Sequence, residues 1–288
     1  MPLSRKAERD IENRYKRSDF RCICGEKCSG ISDMSSVAEI YNGQLLSFAG
    51  SNISGSCATI KSTNPMITDI ADRCFYWLGC NRKDLPEFNI DYTGKRVCAK
   101  DENGSFVMHE KLLAICASDV LKNCDDLCIP FDAPAFIDKI AEQNGKNVYR
   151  FGKSPMSAFD MNAVLSARKN MWAYDGLSLV FFIIRLMKQK NKSLSALVNE
   201  LPEFSIASKT VACSISPSKL AGMLGINVDN TTQGLRKSYG KGYVTVLGTS
   251  GGRHIRIIAE AESMEAAKEI CIDTEHKIAA DTIDNKIQ

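Results

Sequence analysis

Three short stretches of this 288-residue chain combine residue types that could hold an anion, hold a metal or shape a reactive turn. Gly248-Thr249-Ser250-Gly251-Gly252-Arg253 places two hydroxyls, flexible backbone N–H groups and a guanidinium in one turn. That composition suits an anion nest, and Arg256 can join it if its strand faces that way. The same residues equally suit a plain hairpin turn between two strands. Cys22, Cys24 and Cys28 form a Cys-x-Cys-x-x-x-Cys cluster, and Cys124 and Cys128 repeat its last spacing. Thiolates so grouped are candidate ligands for zinc or an iron-sulfur cluster, yet neither set has the paired Cys-x-x-Cys spacing of common sites. The competing reading is cysteine as a small buried apolar residue. Ser62-Thr63-Asn64-Pro65 reads as a helix cap with proline at the first helical position. His109, His254 and His276 are dispersed and read as surface or structural residues. Trp77, Trp172, Phe181 and Phe182 read as core, and an exposed Phe181 or Phe182 would instead mark a protein interface.

Composition narrows the classes of function. Hydrophobic residues make up 44% and charged residues 25%, the balance of a globular protein of about two domains. Thirty-seven Lys+Arg against 34 Asp+Glu leave a net charge of +3, too even for a dedicated nucleic-acid binder. The apolar run Leu177 to Met187 is interrupted by Ser178 and Arg185 and is too short to cross a bilayer, so no membrane partner is expected. Met1 to Phe20 mixes basic and acidic residues with no apolar stretch, so the expected compartment is the cytoplasm, where cysteines stay thiols.

The elements that must position these residues follow from periodicity. Helical spacing covers Ser35 to Phe48 with Gly50 as its stop, and Pro65 opens a second helix ended by Gly79 around a short strand at Ser56 to Ile60. Phe88 to Val107 reads as short extended runs broken by a turn at Asp101 to Gly104, and Leu112 to Leu121 returns to helix. Cys128 to Phe131, Ala133 to Gln143 and Asn147 to Phe151 form a β-α-β unit with a right-handed crossover. Helices at Gly176 to Lys188 and Asn191 to Leu201 follow. Strands at Thr210 to Ile215, Gly242 to Thr249 and His254 to Ala259, with a helix from Ser263, make a small antiparallel α+β domain. The fold class expected is therefore α/β with a C-terminal α+β domain. The divisions are an N-terminal charged arm at 1–19, an α/β region at 20–205 and the C-terminal domain at 206–288, with the boundary near Pro202 to Lys209.

Several of these motifs, in order, resemble one family. Tyr174-Asp175-Gly176 before a long apolar helix, Lys192-Ser193-Leu194-Ser195, Leu201-Pro202-Glu203-Phe204, Gly240-Lys241-Gly242-Tyr243-Val244, the turn Gly248 to Arg253, Ile255-Arg256-Ile257 and Ala259-Glu260-Ala261-Glu262-Ser263 resemble the third-to-fourth-domain junction and C-terminal domain of the α-D-phosphohexomutases, the phosphomannomutase and phosphoglucosamine mutase superfamily. Leu85 to Asn89 and Asp91-Tyr92-Thr93-Gly94-Lys95-Arg96-Val97 look like remnants of the segment after the catalytic serine and of the magnesium loop. Phe20 to Cys80 resembles the opening half of the first domain more weakly. Family members have four domains and longer chains, so the resemblance implies a shortened, degenerate version.

The family moves a phosphoryl group between two positions of a hexose phosphate through a phosphoserine, with magnesium held by an Asp-x-Asp-x-Asp-Arg loop. By that resemblance Asp91 matches the first aspartate and Arg96 the arginine, while Thr93 and Lys95 stand at the other two metal positions. Magnesium demands oxygen ligands and a lysine ammonium repels it, so no magnesium is expected here. The serine motif has no hydroxyl counterpart at Asn81 to Asp84. Ser62 is a second placement, and a serine without an activating base is a poor nucleophile. Ala167 to Trp172 replaces the family's sugar-reading Gly-Glu-x-Ser-Gly. The turn Thr249, Ser250, Gly251, Gly252 and Arg253, with Arg256, stands where the family cradles the non-transferring phosphate, with Leu247 in place of an arginine.

The reading that follows is a non-catalytic phosphohexomutase homologue acting as a scaffold or regulatory subunit bound to another protein, in a hetero-complex or a homo-oligomer, and able to keep a hexose phosphate. The alternative is a divergent phosphosugar mutase using Ser62, with magnesium required only in that case. A further alternative is a metal- or redox-bearing subunit built on Cys22, Cys24 and Cys28.

Overall fold

The computed structural model describes residues 5–17, 35–123, 125–152, 161–213, 217–225, 234–240, 242–248 and 254–284. After a charged helix, α1 (Arg5–Lys16), the chain enters α2 (Ser35–Ala49), β1 (Cys57–Ser62), α3 (Pro65–Leu78), β2 (Asn81–Ile90), β3 (Val97–Lys100), β4 (Phe106–Val107) and α4 (His109–Lys122). The four strands form one sheet in the order β1-β2-β3-β4, with β1 parallel to β2 and the rest antiparallel. Gly79 adopts φ 64° and closes α3 by donating to the Phe75 and Tyr76 carbonyls, the left-handed stop expected of a glycine there. Between β1 and β2 the register jumps from Ala58↔Arg82 to Thr59↔Glu87. Pro86, which has no N–H to donate, lies in the residues thus looped out of the ladder.

A second unit, β5 (Leu127–Pro130), α5 (Phe136–Gln143) and β6 (Val148–Phe151), makes a parallel two-stranded sheet, as the β-α-β pattern anticipates. Next come α6 (Met161–Lys169), which the periodicity did not pick out, then α7 (Gly176–Lys190) and α8 (Leu194–Asn199). Helix α7 is buried from Gly176 through Ile184 on every side, and its buried residues are apolar except Ser178. It forms the axis of a core that α2, α3, α4 and both N-terminal sheets share, with Trp172, Phe181 and Phe182 fully packed.

The C-terminal sheet runs β7 (Ser205–Ala212), β10 (His254–Ala261), β9 (Gly242–Gly248), β8 (Leu235–Tyr239), all antiparallel, covered by α9 (Pro217–Leu224) and α10 (Met264–Asp284). It has a core of its own around Leu235, Val244, Val246, Ile257 and Ala267. Strand β7 begins at Ser205, five residues ahead of the strand read from the sequence and inside the stretch read as a boundary.

One aromatic departs from expectation. Trp77 is not core: it is 72% exposed and packs edge-to-face with the exposed Tyr76 at 5.8 Å. At 100° per residue the buried stripe of α3, Ile67, Ile70, Ala71, Cys74, Phe75 and Leu78, leaves Tyr76 on the opposite side and Trp77 beyond its margin. Phe181 and Phe182, in contrast, are buried, which removes the interface reading tied to their exposure.

Candidate functional site

The loop Asp91 to Arg96 is the hairpin connection between β2 and β3, where Ile90 pairs with Val97. Its backbone closes through Asp91 N–H to the Arg96 carbonyl at 2.9 Å and Gly94 N–H to the Asp91 carbonyl at 3.0 Å, with Gly94 at φ 75°. The Asp91 side chain serves that turn. Oδ1 accepts the N–H groups of Lys95 at 2.9 Å and Arg96 at 3.1 Å, and Oδ2 accepts the Thr93 hydroxyl at 2.7 Å. Partial burial works to raise the Asp91 carboxyl, but these donors and the Arg96 charge outweigh it and hold it below its ordinary value. The loop is also docked: Gly176 N–H, an orphan donor at the start of α7, binds the Gly94 carbonyl at 2.7 Å. A Cβ at Gly176 would stand 2.8 Å from that carbonyl, so only glycine permits this approach.

These residues do not fit a magnesium ion. The ion requires about six oxygens in octahedral array. The loop offers one carboxylate already accepting three hydrogen bonds, a hydroxyl committed to it, and an exposed lysine. Among the described residues no group of three or more His, Cys, Asp or Glu side chains is placed to hold a metal. Cys22, Cys24, Cys28 and Cys124 lie outside the described residues. Cys74, Cys116, Cys128, Cys213 and Cys271 are buried free thiols. Burial pushes the Cys74 and Cys128 thiols up to about 11, which makes them unreactive at neutral pH.

Ser62 ends β1 at the carboxyl edge of the parallel pair. Its Oγ accepts Asn64 N–H at 3.1 Å, and its proton points to the Asp91 carbonyl at 3.5 Å rather than to a carboxylate or imidazole. Asn64 is the helix cap, with Oδ1 accepting Met66 N–H at 3.1 Å and Nδ2 donating to the Tyr92 carbonyl at 3.1 Å. Ser62 thus helps shape a turn that joins β1, α3 and the 91–96 loop.

Arg96 behaves differently from the rest of its loop. It ion-pairs with Glu110 and lies 3.6 Å from Asp132 Oδ2, which is itself 3.7 Å from the Arg256 guanidinium. Burial favours the neutral form of Glu110, but the Arg96 charge prevails and its carboxyl is held low. Beneath this pair His109 is buried, and its Nδ1 accepts Val97 N–H at 3.2 Å. Burial, reinforced by Arg96, pushes its pKa down to about 4, so it is a neutral structural residue. Arg256 sits on β10 opposite Leu247 of β9, one pair inside the antiparallel hairpin that Thr249 to Arg253 connects. Thr249, Ser250, Gly251, Gly252 and Arg253 lie outside the described residues.

The structure therefore brings Arg96 and Arg256, 160 positions apart in sequence, to one carboxylate. Asp132 was not singled out from the sequence. A signal existed, since it follows β5 of a parallel pair, and ligand sites in such sheets lie beyond the carboxyl ends of the strands. Asp91 and Ser62 obey the same rule. Arg96 and Arg256 remain partly exposed, with side-chain exposures of 39% and 32%, and a guanidinium carries five N–H donors in a planar fork.

No family model matches the chain. Among curated proteins it is 27% identical over 190 residues to a phosphoglucomutase/phosphomannomutase of Thermococcus kodakarensis, covering 59% of this chain and 41% of that protein. A probable phosphoglucosamine mutase of Methanopyrus kandleri is 26% identical over 204 residues, covering 62% and 44%. The chain thus spans less than half the length of these curated relatives. In structure it is similar to a phosphoglucomutase/phosphomannomutase family protein from Burkholderia thailandensis, with a TM-score of 0.67 at 15% identity over 96% of this chain and 70% of the other. N-acetylphosphoglucosamine mutase of Aspergillus fumigatus gives 0.54 at 10% identity, over 83% and 69%. Sequence relatives and fold alike point to the α-D-phosphohexomutase superfamily, of which this chain matches a part.

Proposed function

We propose that the chain handles hexose phosphates as a divergent phosphosugar mutase, with a sugar phosphate held where Arg96 and Arg256 converge on Asp132. That convergence is the observation that carries the reading. Two partly exposed guanidiniums from distant parts of the chain reach one carboxylate at 3.6 and 3.7 Å while Glu110 balances the second charge, so the cluster offers an anion directed guanidinium donors rather than excess charge. A phosphate dianion is bound bidentately by such forks. The curated relatives are mutases, which favours phosphoryl transfer over a purely scaffolding role. Here Arg96 and Arg256 bind and orient the anion, and Asp132 holds the two cations at a fixed separation.

A second reading, favoured by the Asp91 carboxylate being taken up by its own loop, is a phosphosugar-binding homologue without transfer, regulating a partner protein in the cytoplasm. Calorimetric titration with glucose 1,6-bisphosphate tests the shared part. Saturable binding by the wild type, weakened at least tenfold (about 1.4 kcal/mol) in Arg256→Ala, is expected; absence of binding overturns both readings. Phosphorus NMR then separates them. Conversion of glucose 1-phosphate to the 6-phosphate, in the presence of bisphosphate and magnesium, supports the mutase, whereas binding without conversion supports the regulator.

A further inference from the structure

Three residues of the 91–96 loop also line a cavity separate from the Arg96, Asp132 and Arg256 cluster. Thr93, Gly94 and Lys95 close one end of a space of about 570 Å³ between α2, α3 and the N-terminus of α7. Arg96, Glu110, Asp132 and Arg256 take no part in its wall. The volume lies within the range of small-molecule pockets. Most of the wall is hydrocarbon, contributed by Val37, Met66, Ile67, Ile70 and Leu177. Val37 and Met66 are 49% and 64% exposed, so apolar surface continues out to solvent at the mouth.

Of the polar side chains on this wall, Tyr41, Asn64, Thr93 and Asp175 are engaged, while the Tyr174 hydroxyl and the Lys95 ammonium have no hydrogen-bond or ion-pair partner among the described residues. The Tyr41 hydroxyl donates to Asp175 Oδ2 at 2.7 Å. Asp175 Oδ1 accepts Ser178 N–H at 2.7 Å, and the positive end of α7 offsets its charge. The Thr93 hydroxyl is held by Asp91, and Asn64 is held by the helix start and the Tyr92 carbonyl. Lys95 uses its backbone N–H on Asp91, while its ammonium has no carboxylate partner among the described residues. A hydrocarbon-lined cavity whose one charged side chain without an ion-pair or hydrogen-bond partner among the described residues is a cation is complementary to an apolar body carrying a single anionic head.

We propose that this cavity binds a medium-chain alkyl carboxylate, with its hydrocarbon against Ile67, Ile70 and Leu177 and its carboxylate on Lys95. The site stands apart from the phosphosugar reading and does not depend on it. Calorimetric titration of the full chain with sodium octanoate tests it, with octanol as the uncharged control. The expected result is saturable one-to-one octanoate binding, weakened at least tenfold for octanol and for Lys95→Ala, and retained by Lys95→Arg. Lys95 is exposed, so these variants keep the fold. Methyl NMR shifts on octanoate addition should centre on Met66, Ile67 and Ile70. Absence of saturable heat, undiminished binding by Lys95→Ala, shifts confined to other residues, or displacement of octanoate by glucose 1,6-bisphosphate would each overturn the assignment.

Discussion

Two arginine clusters join the N-terminal part of this molecule to its C-terminal sheet, and they are built in opposite ways. Arg150 on β6 is 10% exposed and donates to the carbonyls of Pro130, Phe131, Ala133 and Pro134 as well as to both oxygens of Asp138. Arg236 of β8 reaches the same Asp138 at 2.8 Å and lies over the Tyr243 ring. Nearby, Glu260 of β10 accepts the N–H groups of Ala135 and Phe136 at 2.5 and 3.0 Å, at the start of α5. In the Arg96, Asp132 and Arg256 cluster the contacts to the shared carboxylate are longer and the guanidiniums more exposed. A guanidinium with every donor matched to a fixed protein acceptor is architecture. One that is partly exposed and only loosely paired is better placed to recognise an anion.

The largest expected effect breaks the architectural member of this pair. Arg150→Met removes the partner of several buried carbonyls and leaves Asp138 with Arg236 alone, a loss of about 3–5 kcal/mol as read by urea unfolding. Arg256→Ala should leave that midpoint nearly unchanged while weakening anion binding, and equal destabilisation by both would erase the distinction. Next in size is a pH effect beneath the binding cluster. His109 titrates near 4 in the folded chain against about 6.5 when unfolded, so the unfolded chain binds the extra proton in that window. Stability is then full above about pH 6.5 and falls as pH drops toward 4, by on the order of 2–3 kcal/mol. Glu110 and Asp91, whose carboxyls are held low, withdraw their contributions only below the ordinary carboxylate range. Urea midpoints at pH 7 and pH 5 should therefore differ in the wild type and converge in His109→Gln.

A smaller effect sharpens the contrast inside the 91–96 loop. Replacing both Thr93→Asp and Lys95→Asp removes the ammonium and adds two carboxylates beside Asp91. Manganese titration followed by electron paramagnetic resonance should show binding at least tenfold tighter than wild type, about 1.4 kcal/mol. Tight manganese binding by the wild type would refute the account of Asp91 as a turn-holding residue. The smallest effect is at the exposed Trp77, where Trp77→Ala should change stability by no more than about 0.5 kcal/mol. A larger loss would mean that this face is covered in solution.

Much of this was legible in the residues themselves. The helix starts at Pro65 and Gly176, the stop at Gly79 and the parallel pair around α5 follow from caps, glycines and apolar spacing, all local properties. The poor fit of the 91–96 loop to magnesium rests likewise on residue types, since Thr93 and Lys95 lack the carboxylates that the ion needs. The fate of Trp77 was not, since a tryptophan at the margin of an amphipathic stripe is buried or exposed according to what packs beside it. Strand β7 began earlier than expected because Ser205 to Lys209 has weak apolar alternation and is held by its pairing with β10.

What the sequence determined alone, then, is most of the run of elements, though not α6, α9 or β8, together with their local punctuation and the residue types of the 91–96 loop. Each is settled by contacts within a few residues. What only the tertiary structure decided is which charges meet: Arg96 with Asp132 and Arg256, Arg150 with Asp138 and Arg236, and Lys95 at the end of an apolar cavity. Those encounters join residues up to 160 positions apart, and no local pattern encodes them. They depend on packing the apolar faces of α5, α7 and the C-terminal sheet, which brings the polar ends of distant strands to a common edge.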